Sequence, residues 1–322
     1  MPSEFTLINR YFKRPTCHTV LGAGDDGAIV RPAAGMDLVV STDMLVAGTH
    51  FLATDDAREL GWKVLAVNVS DMAAMGAVPR WALLAAAMPS ADEPWIAQFA
   101  QGFFACAEEF GIDLIGGDTT KGPLNFCVTI FGEVPHGRPL LRAGARPGDD
   151  IWISGQPGLA ALGLAHKQGR VVLEAAAAVQ CLAALQRPQP RVELGLALRG
   201  IASSAIDVSD GVLADLGHIL EESKVAAILQ EPSLPYAFDM SADAALVRDC
   251  LRAGGDDYEL LFTAPAARHG DVALLADTLQ LALTCIGSIV AGEIGALKLL
   301  DNSGRELPLS RRGYDHFSSG AS

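Results

Sequence analysis

The chain has 322 residues, half of them hydrophobic, with a formal net charge of -14 and a sequence pI near 4.8. This length favours roughly two domains and leaves ample apolar material for their cores. The acidity argues against nucleic acid as a partner, because a phosphate backbone demands a basic face; it admits a small phosphorylated ligand if metal ions intervene. Met1 to Arg14 carries Glu4, Asn9 and Arg10 where a signal peptide would need an apolar segment. A membrane span needs about 20 predominantly apolar residues, and the richest stretch, Val171 to Leu185, is interrupted by Glu174 and Gln180. Six cysteines are scattered without a CxxC pair, four of them in apolar surroundings, as suits core residues in a reducing compartment. A soluble cytoplasmic protein with no membrane partner is expected.

In chain order, Ser3 predicts the cap of a first helix with Phe5, Ile8 and Phe12 as its apolar stripe. Gly22-Ala-Gly-Asp-Asp-Gly27 follows and satisfies GxGxxG, a dinucleotide signal only where a strand leads into a helix. Here Ala28-Ile-Val-Arg-Pro32 reads as a strand, and two aspartates would face a pyrophosphate, so a nicotinamide enzyme is rejected. Leu38-Val-Val40 predicts a buried strand that ends at Ser41-Thr-Asp43, and His50 follows in a loop, either beside a phosphate or simply at the surface. A long helix is predicted from Asp55-Asp56 to Gly76, with Val64, Val67, Met72 and Met75 inward. Asp71 lies on it in Val-Asn-Val-Ser-Asp-Met-Ala-Ala-Met-Gly with no nearby base, and a buried charge needs a partner or a metal. Arg80 to Met88 reads as a strand; Asp92, Pro94 and Gly111 bracket a helix. Leu114 to Gly122 reads as a strand closing in a glycine pair, Asp118, two threonines and a lysine, the composition of a phosphate cradle beside a metal ligand.

Arg138 to Gly148 reads as an inter-domain connection, so domains are expected at 1–137 and 149–322, with Arg142 and Arg146 either phosphate contacts or solvated linker charges. A strand at Asp150 to Ser154 opens the second half, and helices broken at Arg187-Pro-Gln-Pro-Arg191 follow. Asp207-Val-Ser-Asp210 sits between a strand and a helix from Val212, where the helix N-terminus favours anions. Simple capping would need one of Asp207, Ser209 and Asp210, not all three. Gly254-Gly-Asp-Asp-Tyr-Glu259 repeats the theme, with Asp257 and Glu259 available to a cationic or hydroxylated substrate. Near the end, Tyr314 offers a ring for stacking or an anchor for the terminus.

Singly, each aspartate fits a turn or cap. Gathered, they repel: two carboxylates 4 Å apart cost ~4 kcal/mol at an effective dielectric of ~20. A cation would hold them, and magnesium typically uses one or two carboxylates plus substrate phosphates. The sequence therefore predicts a magnesium-phosphate site.

The segments GAGDDGA, STDMLVAGTHF, AVNVSDMAAMGA, LIGGDTTKGP, RAGARPGD, IDVSDG, GGDDYEL and GYDHF, in this order, resemble those of the bacterial thiamine-monophosphate kinase family, within the aminoimidazole-ribonucleotide-synthetase-like superfamily. The resemblance implies an α/β plus α+β, two-domain fold. Its N-terminal mixed sheet would form a barrel with that of a second copy in a homodimer, and its C-terminal sheet would be covered by helices. It implies transfer of the ATP γ-phosphoryl group to thiamine phosphate, with several magnesium ions. By position, Asp26, Ser41, Thr42, Asp43, Asp71, Asp118, Asp207 and Asp210 would be metal ligands. Gly117, Asp118, Arg142 and Ser209 would contact ATP, and His50, Asp257 and Tyr314 would line the thiamine phosphate site. Where Tyr314 stands, some relatives carry tryptophan. A selenophosphate synthetase would need a reactive cysteine ahead of a glycine-rich lysine loop, which Pro15-Thr-Cys-His18 lacks. The chain could also be an aminoimidazole-ribonucleotide synthetase of the same superfamily, or a non-catalytic binding module that retains a nucleotide-metal pocket.

Overall fold

A computed structural model of the protein describes residues 3–236 and 244–309. It divides into two units, Met1–Met72 with Ala77–Pro139, and Ala73–Gly76 with Leu140–Ser322. No described helix is long and apolar enough to cross a membrane.

The first unit opens with α1 (Glu4–Leu7), which passes directly into a π-turn at Ile8–Phe12. The Ser3 hydroxyl accepts from the Thr6 amide at 3.3 Å. The expected stripe does not hold: Phe12 is buried, but Phe5 is 74% exposed. The wider π-turn rotates the chain, so the two rings no longer share a face. Short strands β1 (Thr19–Leu21) and β2 (Ile29–Val30) pair across the glycine-aspartate loop. The chain then runs through β3 (Met36–Val46), α2 (Ala57–Ala74), β4 (Val78–Met88), α3 (Glu93–Phe110), β5 (Asp113–Lys121) and β6 (Asn125–Pro135). The sheet order is β3-β6-β4-β5, with only β4 and β5 parallel.

Asp92 caps α3 by accepting from the Trp95 amide at 3.3 Å, and left-handed Gly111 ends it. Helices α2 and α3 meet through two glycines. A Cβ on Gly61 would overlap the Phe99 carbonyl, and one on Gly102 the Arg58 carbonyl. Phe99 in turn stacks on Phe126 of β6, with ring centroids 4.4 Å apart.

Strand β3 departs from expectation. Leu38, Val40 and Met44 are 39%, 53% and 55% exposed, while Leu45 on the other face is buried. Alternate residues of a strand point to opposite faces, and α2 lies against only one of them. β5 also runs on beyond its glycine pair to Lys121. Gly117 has φ 149°, and a Cβ there would overlap the Leu84 carbonyl of the neighbouring strand.

The second unit holds β7 (Asp149–Ser154), α4 (Leu159–Lys167), α5 (Ala175–Gln186), α6 (Val192–Leu198), β8 (Ser204–Asp207), α7 (Val212–Ser223), β9 (Ala226–Gln230), α8 (Ala244–Ala253), β10 (Leu260–Pro265), α9 (His269–Leu279), β11 (Leu283–Val290), β12 (Leu297–Leu300) and β13 (Glu306–Leu307). Its seven strands are ordered β13-β12-β9-β11-β7-β10-β8, antiparallel except for β12 beside β9. A core of Ile151, Ile153, Ile206, Leu216, Leu229 and Leu261 joins this sheet to α7. Of the six free cysteines, three rather than four are buried: Cys106, Cys181 and Cys250.

Candidate active site

In the first unit, the two-residue period of β3 turns Ser41 and Asp43 towards α2, where Asn68 and Asp71 are neighbours three residues apart. The Ser41 hydroxyl donates to Asp71 Oδ2 at 2.5 Å. The Asp43 amide donates to Asn68 Oδ1 at 3.1 Å, and Asn68 Nδ2 donates to the Val64 carbonyl at 3.1 Å. Asn68 is fully buried, so one amide side chain ties the strand to the helix. Asp71 is half-buried, with the Ser41 hydroxyl beside it. Thr42 faces the other way, its hydroxyl donating to the Val128 carbonyl at 2.9 Å. Ser41, Asp43 and Asp71 are thus brought together, and the Thr42 hydroxyl is not.

Asp26 lies exposed on the loop between β1 and β2, its amide bonded to Asp25 Oδ1 at 2.9 Å. The arm leading into that loop is fastened by the buried carboxylate of Asp113, at the start of β5. It accepts from the Cys17 amide (2.8 Å), the His18 amide (2.6 Å) and the Thr19 hydroxyl (2.7 Å). Trp81 Nε1 adds a bond to the His18 carbonyl at 3.2 Å. Asp118 is exposed further along β5. In register, Asp43 lies across from Val128, Leu84 and Gly117 in turn, so Asp43 and Asp118 occupy the two edge strands. His50 Nδ1 accepts from the Val46 amide at 3.0 Å, which makes Nε2 the protonated nitrogen of the neutral ring.

In the second unit, β8 ends at buried Asp207, and the loop Val208 to Gly211 leads into α7. Asp215, on the first turn of α7 and 2% exposed, turns back to accept from the Asp210 and Gly211 amides, both at 3.1 Å. Burial, and then the charge of Asp210, push its carboxyl up to about 7, while Arg142 acts in the opposite sense. Across the same loop, the Asp256 amide donates to the Ser209 carbonyl at 2.9 Å and the Tyr258 amide to the Val208 carbonyl at 2.8 Å. Asp256 and Tyr258 take positive φ values of 70° and 53° to make these bonds, a strain of a kind that collects at functional sites. Arg142 lies on an exposed turn held by Ser223, whose hydroxyl accepts from the Gly144 and Ala145 amides and donates to the Arg142 carbonyl.

Asp257 caps α4, its carboxylate accepting from the Gly158 amide at 2.7 Å and the Ala160 amide at 3.4 Å. Burial holds its carboxyl well above the usual carboxylate range. Glu259 overturns expectation. It is 7% exposed and grips Arg191 through both oxygens, at 2.7 and 2.5 Å, with the Ser154 hydroxyl at 2.5 Å. A carboxylate this buried must be paired, and its partner is the protein itself, not a substrate. Tyr314 lies outside the described residues.

Among the described residues, no three Asp, Glu, His or Cys side chains form a group that would hold a metal ion unaided. The fold supplies oxygen donors in smaller sets, as with Ser41, Asp43 and Asp71. Such sets fit magnesium, which keeps water and takes phosphate oxygens to complete its shell.

Residues 24–134 match the family model described as AIR synthase related protein, N-terminal domain. The chain therefore has an AIR-synthase-like fold of mixed sheets and helices. It is 43% identical to the thiamine-monophosphate kinase of Escherichia coli (strain K12), covering 98% of each chain. A crystal structure of the thiamine-monophosphate kinase from Stenotrophomonas maltophilia K279a superposes with a TM-score of 0.84 at 46% identity, covering 92% of this chain and 96% of that one. A structure described as AaThiL complexed with AMPPCP and TMP gives 0.77 at 27% identity, covering 97% and 96%. The chain belongs to the thiamine-monophosphate kinase family.

Proposed function

We infer that this chain transfers the γ-phosphoryl group of ATP directly to the phosphate of thiamine phosphate, releasing thiamine diphosphate and ADP. The observation that carries this reading is the 43% identity across 98% of both chains with a thiamine-monophosphate kinase. The acceptor is a phosphate oxygen, already ionised near neutral pH, so no side chain need remove a proton. What the reaction needs is alignment and charge neutralisation, because two anionic reactants must meet. Bound magnesium would supply the neutralisation.

Asp26, Ser41, Asp43, Asp71, Asp118, Asp207 and Asp210 are the proposed oxygen ligands; Thr42, facing the other side of β3, joins them on resemblance alone. Gly117, Asp118, Arg142 and Ser209 would hold the nucleotide. His50, Asp257 and Tyr314 would hold thiamine phosphate. Residues 1–137 would serve for metal, nucleotide and dimerisation, with 138–148 as linker and 149–322 as the second domain. The exposed face of β3, with Leu38, Val40 and Met44, supports a homodimer in which that sheet closes a barrel with its mate. Free cysteines throughout the described residues suit a cytoplasmic enzyme.

A coupled ADP assay across a panel of phosphate acceptors, with magnesium and with a chelator, tests the reading. ADP release that requires both thiamine phosphate and magnesium is expected. Nucleotide binding without any acceptor-dependent release would make the protein a binding module instead.

A further inference from the structure

We propose that Asp215 is a positioning residue for the loop of residues 208–211, fixing the direction in which Ser209 and Asp210 present their oxygens. The proposal rests on the phosphotransferase reading and deepens it. The first residue before α7 is Gly211, which has φ 115° and lies so close to the Ala253 backbone that a Cβ would crowd it. A glycine is required there, and a glycine has no side chain with which to cap a helix. The buried amides of the turn that enters a helix nevertheless need acceptors. Asp215 supplies one from inside the helix: its carboxylate takes the Asp210 and Gly211 amides, while its own amide donates to the Gly211 carbonyl at 3.0 Å. The ring so formed leaves the loop little freedom on the helix side. On its other side the loop is held by the Asp256 and Tyr258 amides. The orientation of Ser209 and Asp210 therefore depends on a buried acceptor that is not itself among the proposed ligands.

Three readouts test this. Asp215→Ala should lower kcat/KM for ATP and raise the half-saturating magnesium concentration by ~10–100-fold, the usual cost of removing a group that orients a ligand. Asp215→Asn keeps an acceptor oxygen in place and should restore most of that loss. Equal impairment in both variants would overturn the proposal, since charge rather than hydrogen-bond acceptance would then matter; so would an alanine variant with wild-type ATP and magnesium dependence. Amide hydrogen exchange of the wild-type protein without nucleotide should find Asp210 and Gly211 protected, and unprotected amides there would overturn the proposal even if the alanine variant does not fold. That exchange needs no turnover, so a wild-type protein inactive on thiamine phosphate would defeat the functional reading and leave this measurement to decide the role of Asp215.

Discussion

Asp43 and Asp71 differ from the exposed Asp26 and Asp118 in what holds them: the first through its backbone by Asn68, the second through its carboxylate by Ser41. Asp43→Asn or Asp71→Asn should reduce turnover by at least ~10²-fold, as expected when charge stabilisation is removed from phosphoryl transfer, while thermal melts stay close to wild type. ADP release at saturating magnesium and a melting curve check both halves. Asn68→Ala should instead cost ~1–3 kcal/mol of stability, because it strips the Asp43 amide of its partner; denaturant titration reads this directly. Farther away, Asp301 accepts from the Ser303 hydroxyl and the Arg305 amide, which draw its carboxyl down to about 2. A depressed carboxyl pKa contributes stability above its unfolded value and loses it as pH falls towards 2. The melting difference between wild type and Asp301→Asn should therefore shrink on acidification from pH 6 to pH 2.5. Asp71 was legible as an aspartate stranded in apolar sequence. The same signal stands in Val212-Leu-Ala-Asp-Leu216, but spacing does not say that this side chain doubles back onto the entry of its own helix. Nor does spacing pair Glu259 with Arg191, which lies 68 residues away.

Among the elements, the regular ones follow from local chemistry: α3 begins at an aspartate cap and ends at a left-handed glycine, as its sequence predicts. The strands were harder, because burial of a sheet is decided by what packs on each face. Leu38 and Val40 read as core from composition, yet lie on the face that α2 does not cover. Likewise the glycine pair of β5 resembles a strand terminus, and only the nearness of Leu84 explains why glycine serves mid-strand. Gly102→Ala should destabilise by ~1–3 kcal/mol through overpacking against the Arg58 carbonyl, as a lower denaturant midpoint. Arg191→Leu should cost ~3 kcal/mol or more, since it leaves Glu259 buried without its counter-charge. Equilibrium unfolding of both variants measures these costs.

For the molecule as a whole, order of motifs carried the fold and family, while assembly depends on surface that sequence patterning cannot assign. If β3 closes a barrel with a second copy, the wild type should sediment as a dimer, and Val40→Lys with Met44→Lys should halve the mass without altering the circular dichroism. The glycine contact between α2 and α3 bears on motion. Packed helices ordinarily slide by re-seating flexible side chains between them, and here carbonyls rest directly on glycine with nothing interposed. The helix bearing Asn68 and Asp71 thus behaves as a fixed rail, and within the first unit adjustment falls to the exposed aspartate-bearing loop at 22–27.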